Sequence, residues 1–453
     1  MKKQSLVEKL QQLKSQNRFN LFDSEKRNYY LYDVYSQNLY PLNKEIYDFF
    51  ISENVISYTK EEENKIKEFL DYLNQWNGQI NYSELTETHL TINLSSKCNL
   101  NCSYCYRDKE YKNEMSLEKA FEIIDYADKY YKTNNNEIVF SIDMTAESFL
   151  DKEKIKELYK RILDYKGHQK MRLWFMSNGT RLTDDYIELI KKMPIDPFWV
   201  SLDGPETVHN ANRKYYNGKG SFNDVIDNIK ILQENNINIK ISCVLTSNYP
   251  YPDKLFNYLK SLSVQGIQIC PVRNGCEVSL TKESLEIVKE SYVKLFEQLY
   301  IEIMKKDFSS VKLLKEDFIL QTFLILFNRI RQSGRCTWGQ EAVVDAQGNM
   351  YPCLYVIGNK KYLLGNINEK KNAKAFLHRI TVNDRKKCQS CWARFLCGGT
   401  CHYNSIISKN SEFEVDDIEC ELRMFLVTES INMLIKLMEN GAELNEFATV
   451  LKS

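Results

Sequence analysis

A chain of 453 residues with 43% hydrophobic content has room for two or three domains with true cores and is not disordered. Lys plus Arg and Asp plus Glu both number 61, so no charge excess points to nucleic acid or an anionic membrane, and no apolar run approaches a membrane span. The N-terminal "MKKQSLVEKLQQLKSQ" has no apolar signal segment, so the expectation is a cytoplasmic protein, in which thirteen cysteines suit metal better than disulfides.

Residues 1–85 read as a small separate unit. In it, "NYYLYDVYSQNLYPL" predicts two short strands around a Ser-Gln-Asn turn, followed by "NKEIYDFF" and a charged helix. Thr59 and Glu62 form a capping box for that helix, and Ile66, Phe69, Leu70 and Leu73 make one apolar stripe, which leaves "KEEENKIKE" as a solvated face.

From residue 86 to 280 strands alternate with amphipathic helices, the pattern of parallel βα units. The predicted strands are "HLTINL" (89–94), "EIVFSI" (137–142), "KMRLWFM" (170–176), "PFWVSL" (197–202), "NIKISCVLT" (238–246) and "GIQIC" (266–270). Six such units predict an α/β fold with a partial (β/α)6 TIM-like barrel, whose chemistry sits on the loops after the strands. Those loops carry Cys98, Cys102 and Cys105, then Glu147, then Ser177 and Asn178, then Ser201 and Asp203. Residues 281–330 predict a helical bridge, 331–425 a cysteine-rich domain, and 426–453 a closing helix.

"CNLNCSYC" places Cys98, Cys102 and Cys105 in a CxxxCxxC loop directly after a strand. Three thiolates in one loop can hold three irons of a four-iron cluster and leave one iron open to chelate a small molecule. A zinc site, which usually wants a fourth ligand, and scattered core cysteines are the alternatives.

This loop resembles that of the radical SAM (S-adenosylmethionine) family, in which it binds a [4Fe-4S] cluster. Tyr104 matches the aromatic position before the third cysteine, and the likeness continues through "MSNGT" (176–180) and "VSLDGPETVHNANRKYYNGKGSF" (200–222). The resemblance implies that Ser201 and Arg213 bind the ribose and carboxylate region of SAM, Arg213 by the bidentate geometry a guanidinium offers a carboxylate. Tyr104, Ser177 and Asn178 join them as cofactor-binding candidates. His209 reads as a helix-start polar residue. Where the family's second strand usually ends in Gly-Gly-Glu-Pro, this chain has Thr145, Ala146, Glu147 and Ser148. The lost glycines alter the pocket's shape, and Glu147 keeps the carboxylate that receives the SAM amino group.

Seven further cysteines, Cys336, Cys353, Cys388, Cys391, Cys397, Cys401 and Cys420, lie beyond the bridge, four of them in a CX2CX5CX3C run. Alone, the CxxC pair could belong to a zinc ribbon. With the first motif it resembles the SPASM domain of peptide and sulfatase maturases, and the likeness as a whole covers about residues 88–425. It implies two auxiliary four-iron clusters, three clusters in all, with Cys388, Cys391, Cys397 and Cys420 on the outer one and Cys336, Cys353 and Cys401 on the inner. Two all-thiolate clusters need about eight cysteines, so the inner one is a ligand short, and "FNRIRQSGR" before Cys336 supplies none. Cys276 or Cys270 fills the place, or it is open to a substrate thiolate. Cys243 and Cys270 read most simply as small buried hydrophobes.

Sulfatase maturases carry an aspartate base just after the cysteine equivalent to Cys353, where this chain has Leu354 in "YPCLYV". An apolar residue cannot accept a proton. The resemblance therefore implies a peptide-modifying enzyme in which a 5'-deoxyadenosyl radical abstracts a hydrogen from a ribosomally made precursor and a cysteine thioether forms. Carbon-carbon crosslinking and sulfatase-type oxidation are the alternatives within the family, and a non-catalytic redox or zinc scaffold the alternative outside it. Residues 20–80 resemble a winged-helix RiPP recognition element, which would take the leader peptide as an added strand; a dimerisation or packing unit is the other reading. The expected partners are a leader-bearing precursor peptide and a small electron-transfer protein, with no nucleic acid and no membrane.

Overall fold

The computed structural model describes residues 18–52, 59–75, 88–106, 112–130, 137–142, 147, 150–164, 170–192, 195–334, 338, 342–369 and 380–452. Three strands open it: β1 (Phe19–Asp23), β2 (Tyr29–Asp33) and β3 (Asn38–Leu42), antiparallel in that order. The expected hairpin is β2–β3, with Leu31 opposite Tyr40. Its turn is closed by Asp33, whose carboxylate accepts from the Tyr35 and Ser36 amides and from Arg18. β1 was not foreseen.

Two helices follow, Lys44–Ile51 and Lys60–Gln75. Asn43 caps the first through the Ile46 amide. Thr59 and Glu62 form the expected reciprocal box at the second, with Glu62 accepting from the Thr59 amide at 2.7 Å.

Period-two alternation sends β2 both ways. Leu31 joins Leu42, Ile46, Phe49, Phe50, Ile66 and Leu70 in a core under the helices, while Tyr30 and Tyr32 face Phe395, Leu396, Val427 and Ile431 in the cysteine-rich part of the chain. Sequence suggested a separate unit, but the described strands of residues 19–42 share a core with residues more than 350 positions away. Tyrosines on the second face look solvent-compatible in sequence, and that hid the interface.

All six predicted βα strands are present as β4 (Thr88–Ile92), β5 (Glu137–Ile142), β6 (Lys170–Ser177), β7 (Ile195–Ser201), β8 (Ile239–Leu245) and β9 (Gly266–Pro271). They pair in parallel and in chain order. Beyond β4, the strand β10 (Ala342–Val344) adds in parallel, and β11 (Asn349–Tyr351) and β12 (Gly365–Asn366) continue antiparallel, giving one nine-stranded sheet. The cysteine-rich region thus begins by extending the sheet at the edge that carries the first cysteine motif.

The bridge is helical, with Lys282–Met304, Ser309–Leu313 and Phe318–Asn328. It stops at Arg329, which takes the left-handed conformation (φ 50). The last long helix, Asp417–Glu439, starts before Cys420, so the expected boundary at 425/426 falls inside a continuous helix. It packs against Lys282–Met304. Among the described residues no helix is long and apolar enough to cross a membrane.

Candidate active site

The three cysteines of the first motif sit on the loop after β4, and that loop is tied to the segment after the helix Glu206–Asn212. The Asn101 amide donates to the Lys214 carbonyl at 2.7 Å and the Ser103 amide to the Asn212 carbonyl at 3.0 Å. Ser103 Oγ donates to Asn212 Oδ1 at 2.9 Å. Arg213 lies inside this tether, so the cysteine loop and the arginine cannot move independently.

Asp203, fully buried, is the hub. Its Oδ2 accepts from Tyr104 Oη at 2.5 Å and from Arg213 Nε at 3.1 Å, and its Oδ1 accepts from the Val244 amide at 3.1 Å. The Arg213 guanidinium also stands 5.4 Å from the Tyr104 ring centroid. Burial opposes its charge, but Asp203, Tyr104 and Cys102 raise its pKa. Tyr104, buried beside these groups, has its pKa raised well above the usual phenol value.

His209 was expected to be no more than a helix-start polar residue. Instead it is fully buried behind Asp203. Its Nδ1 accepts the Asp203 amide at 3.3 Å, which leaves the proton on Nε2 to donate to Ser221 Oγ at 3.0 Å. Ser221 passes the chain on to the Arg213 carbonyl at 2.9 Å. Burial lowers the His209 pKa to about 4.

Glu147 is buried too, 2% exposed. Its carboxylate accepts from Ser177 Oγ at 2.8 Å and from the Asn178 amide at 2.7 Å, while its own amide donates to the Lys97 carbonyl at 3.0 Å. It therefore locks the β6 end to the base of the cysteine loop. Thr145, Ala146 and Ser148 lie outside the described residues. Asn178 Nδ2 donates to Asn99 Oδ1 at 2.8 Å and to Cys98 Sγ at 3.9 Å.

A cavity of about 350 Å³ opens over this network. Its walls include Cys98, Cys102, Cys105, Ser177, Ser201 and Arg213. Leu354 and Tyr355, from the loop after Cys353, and Cys270 and Arg273, from the end of β9, line it as well. Cys270 is thus a cavity residue and not the core hydrophobe expected from sequence, whereas Cys243 is fully buried as expected. Arg273 and Tyr355 escaped sequence reading because neither belongs to a motif; the one available signal was a cation between two cysteines in "CPVRNGC".

Three soft thiols on one cavity wall fit three corners of a four-iron cluster. Burial pushes the Cys102 thiol up to about 12, so loading metal there requires the metal to displace a proton. Among the described residues no Cys, His, Asp and Glu side chains are gathered as they would be round a single metal ion. A cluster takes its thiolates at separate irons and does not need that arrangement.

The four cysteines expected on the outer cluster come together. Burial, then Cys397, Cys391 and Cys420, raise the Cys388 pKa to about 12, with Arg385 opposing. Burial raises Cys420 to about 11, with Cys397 and Cys391 adding to it and Lys387 opposing. Of the inner set, Cys336 lies outside the described residues, while Cys353 packs on the same small core as Tyr403, two residues after Cys401, and the Tyr355 and Tyr403 ring centroids are 4.9 Å apart. After burial, Cys401, Cys276 and Cys353 all raise the pKa of the Tyr403 phenol.

Residues 92–251 match the sequence profile of the Radical SAM superfamily. The cysteine-type anaerobic sulfatase-maturating enzyme of Clostridium novyi is 24% identical over 332 residues, 68% of this chain and 86% of that protein. The radical SAM cyclopropyl synthase TigE of Paramaledivibacter caminithermalis is 30% identical over 244 residues, 49% of this chain and 48% of that one. The solved structure of native anSMEcpe with bound AdoMet and Kp18Cys peptide shares the fold, with a TM-score of 0.63 at 21% identity over 78% of this chain and 99% of its own.

Proposed function

We propose that the radical SAM superfamily domain at residues 92–251 makes this chain an enzyme that abstracts a hydrogen from a ribosomally made peptide and crosslinks the peptide through a cysteine thioether. The observation that carries the reading is the shared cavity, on which the loops of both cysteine groups open.

When bound, a four-iron cluster on Cys98, Cys102 and Cys105 supplies the electron that cleaves SAM into methionine and a 5'-deoxyadenosyl radical. Arg213, held charged by Asp203, offers the SAM carboxylate its remaining N–H donors. Glu147, with Ser177 and Asn178 fixing its rotamer, presents a carboxylate to the amino group. Ser201, buried at the end of β7, faces the ribose from the cavity wall. Trp174, Val272, Leu354 and Tyr355 give the cavity aromatic and apolar walls against which a bound adenosyl group and peptide side chain can pack.

Leu354 also bears on which reaction follows. It stands in the cavity wall where proton acceptance would be required for sulfatase-type oxidation, and its side chain has no acceptor. The matched sulfatase-maturating relatives are named for acting on a protein, which supports a polypeptide substrate while leaving the chemistry to this chain's own residues. Two auxiliary clusters, on Cys388, Cys391, Cys397 and Cys420 and on Cys336, Cys353 and Cys401, complete the proposed cofactor set. The three strands and two helices at the N-terminal end, with β1 and β3 as the edge strands among the described residues, suit the addition of a leader peptide as a further strand. A small electron-transfer protein is the proposed donor.

Co-expression with short cysteine-bearing reading frames neighbouring the gene tests this. A peptide product lighter by two hydrogens per link, resistant to thiol alkylation at one cysteine, is expected. Peptides recovered unmodified, or with every cysteine still alkylated, would refute thioether formation.

A further inference from the structure

We infer that Cys276 is a ligand of the inner auxiliary cluster in the peptide-free protein, joining Cys353 and Cys401 from the far end of β9; the inference rests on the cofactor content proposed above.

Cys276 closes the turn Arg273-Asn274-Gly275-Cys276, in which Gly275 adopts φ +95. That turn is not a loose surface loop. The Asn274 amide donates to Asn404 Oδ1 at 3.0 Å and Asn274 Nδ2 donates to Asp416 Oδ2 at 2.7 Å. Asn404 in turn donates to Glu419 Oε2 at 2.9 Å, and the same oxygen accepts the Cys401 amide at 3.0 Å. One chain of hydrogen bonds thus fixes Cys276 relative to Cys401. Cys353 packs on the same small core as Tyr403, which follows Cys401 by two residues, and Tyr355 packs on Tyr403.

The turn does not need the thiol. The Ser279 amide donates to the Cys276 carbonyl at 3.1 Å, and Ser279 Oγ accepts the Cys276 amide at 3.2 Å and lies 3.5 Å from the Arg273 carbonyl that the thiol also reaches, so the turn keeps its closure when the thiol is engaged elsewhere. What the thiol adds is a soft donor on a turn tied to Cys401 through Asn404 and Glu419. Cys270, the other candidate for the missing place, is spent on the cavity wall.

With a cluster bound, a substrate thiol would enter the inner site by exchange, its sulfur–iron bond forming as that of Cys276 breaks. The proton leaves the substrate thiol and ends on the Cys276 sulfur, with no change of oxidation state. The released thiol has acceptors at hand in the Arg273 carbonyl at 3.6 Å and Ser279 Oγ at 3.4 Å.

Electron paramagnetic resonance of the reduced, anaerobically reconstituted full chain without peptide tests the assignment. Cys276→Ala is expected to shift or abolish the inner-cluster signal while the outer-cluster signal stays in place. Spectra superimposable on those of the unsubstituted protein would overturn it. Should Cys276→Ala fail to fold by circular dichroism, Cys276→Ser decides, since an oxygen ligand shifts the signal and keeps the turn. SAM cleavage with an unaltered inner signal would overturn the ligand alone; a Cys276-sensitive signal without SAM cleavage would support the ligand and refute the functional reading.

Discussion

Asp203 and His209 show how much of the site depends on residues that touch neither cluster nor substrate. The Asp203 carboxylate holds Tyr104, Arg213 and the Val244 amide together, and His209 fixes the Asp203 backbone from behind. The groups facing His209 are Asp203, Arg213, Ser221 and the Phe222 ring. Burial is the largest influence and, with Arg213, favours the neutral imidazole; Asp203 opposes them and is outweighed. Since the folded pKa of about 4 lies below the free value of 6.5, the unfolded chain binds the extra proton between those limits. The resulting stability is present above the free value and is lost as pH falls toward the folded one. Between pH 7 and pH 5 the unsubstituted protein should lose about 2 kcal/mol more than His209→Gln, read from urea midpoints at each pH. Parallel pH dependences would show that the ring is not buried neutral.

Elements place these residues by docking on one another. The first sheet lies on the cysteine-rich region through Trp392, whose ring centroid is 5.7 Å from that of Phe22 and 5.9 Å from that of Tyr32. Trp392→Ala should cost about 3 kcal/mol and make residues 18–42 the first to be cut in limited proteolysis. An unchanged cleavage pattern would mean the sheet is held by other contacts. This docking is also where sequence reading reached its limit. Strands β4 to β9 were legible because buried parallel strands are continuous apolar runs between amphipathic helices. The capping box at Thr59 and the C-terminal positions of the cysteine loops were legible for the same local reasons. Cys270, His209 and the double-faced β2 were not, since a cysteine, a histidine or a tyrosine in a strand or short helix has the same local signature whether it faces core, cavity or a distant segment. Glu147 was legible through its register with the family motif, but its bonds to Ser177 and Asn178 were not, since they cross from the loop after one strand to the end of the next.

At the scale of the molecule, the nine-stranded sheet joins the two cysteine groups. β10 lies directly against β4, so the strand that leads into the first motif and the strand that leads toward Cys353 are neighbours, and their loops meet over one cavity. The helix Asp417–Glu439 then folds back on the first sheet, with Val427, Ile431 and Ile435 in one core with Phe22, Tyr30, Tyr32 and the buried Cys388 and Cys397. The central claim is that this arrangement cleaves SAM reductively. The direct measurement is formation of 5'-deoxyadenosine and methionine by anaerobically reconstituted protein, reduced in the presence of SAM, beside Cys102→Ala prepared in the same way. The account predicts both products from the unsubstituted protein and none above background from the variant; no product from either, in protein shown to carry iron at the first site, would contradict it.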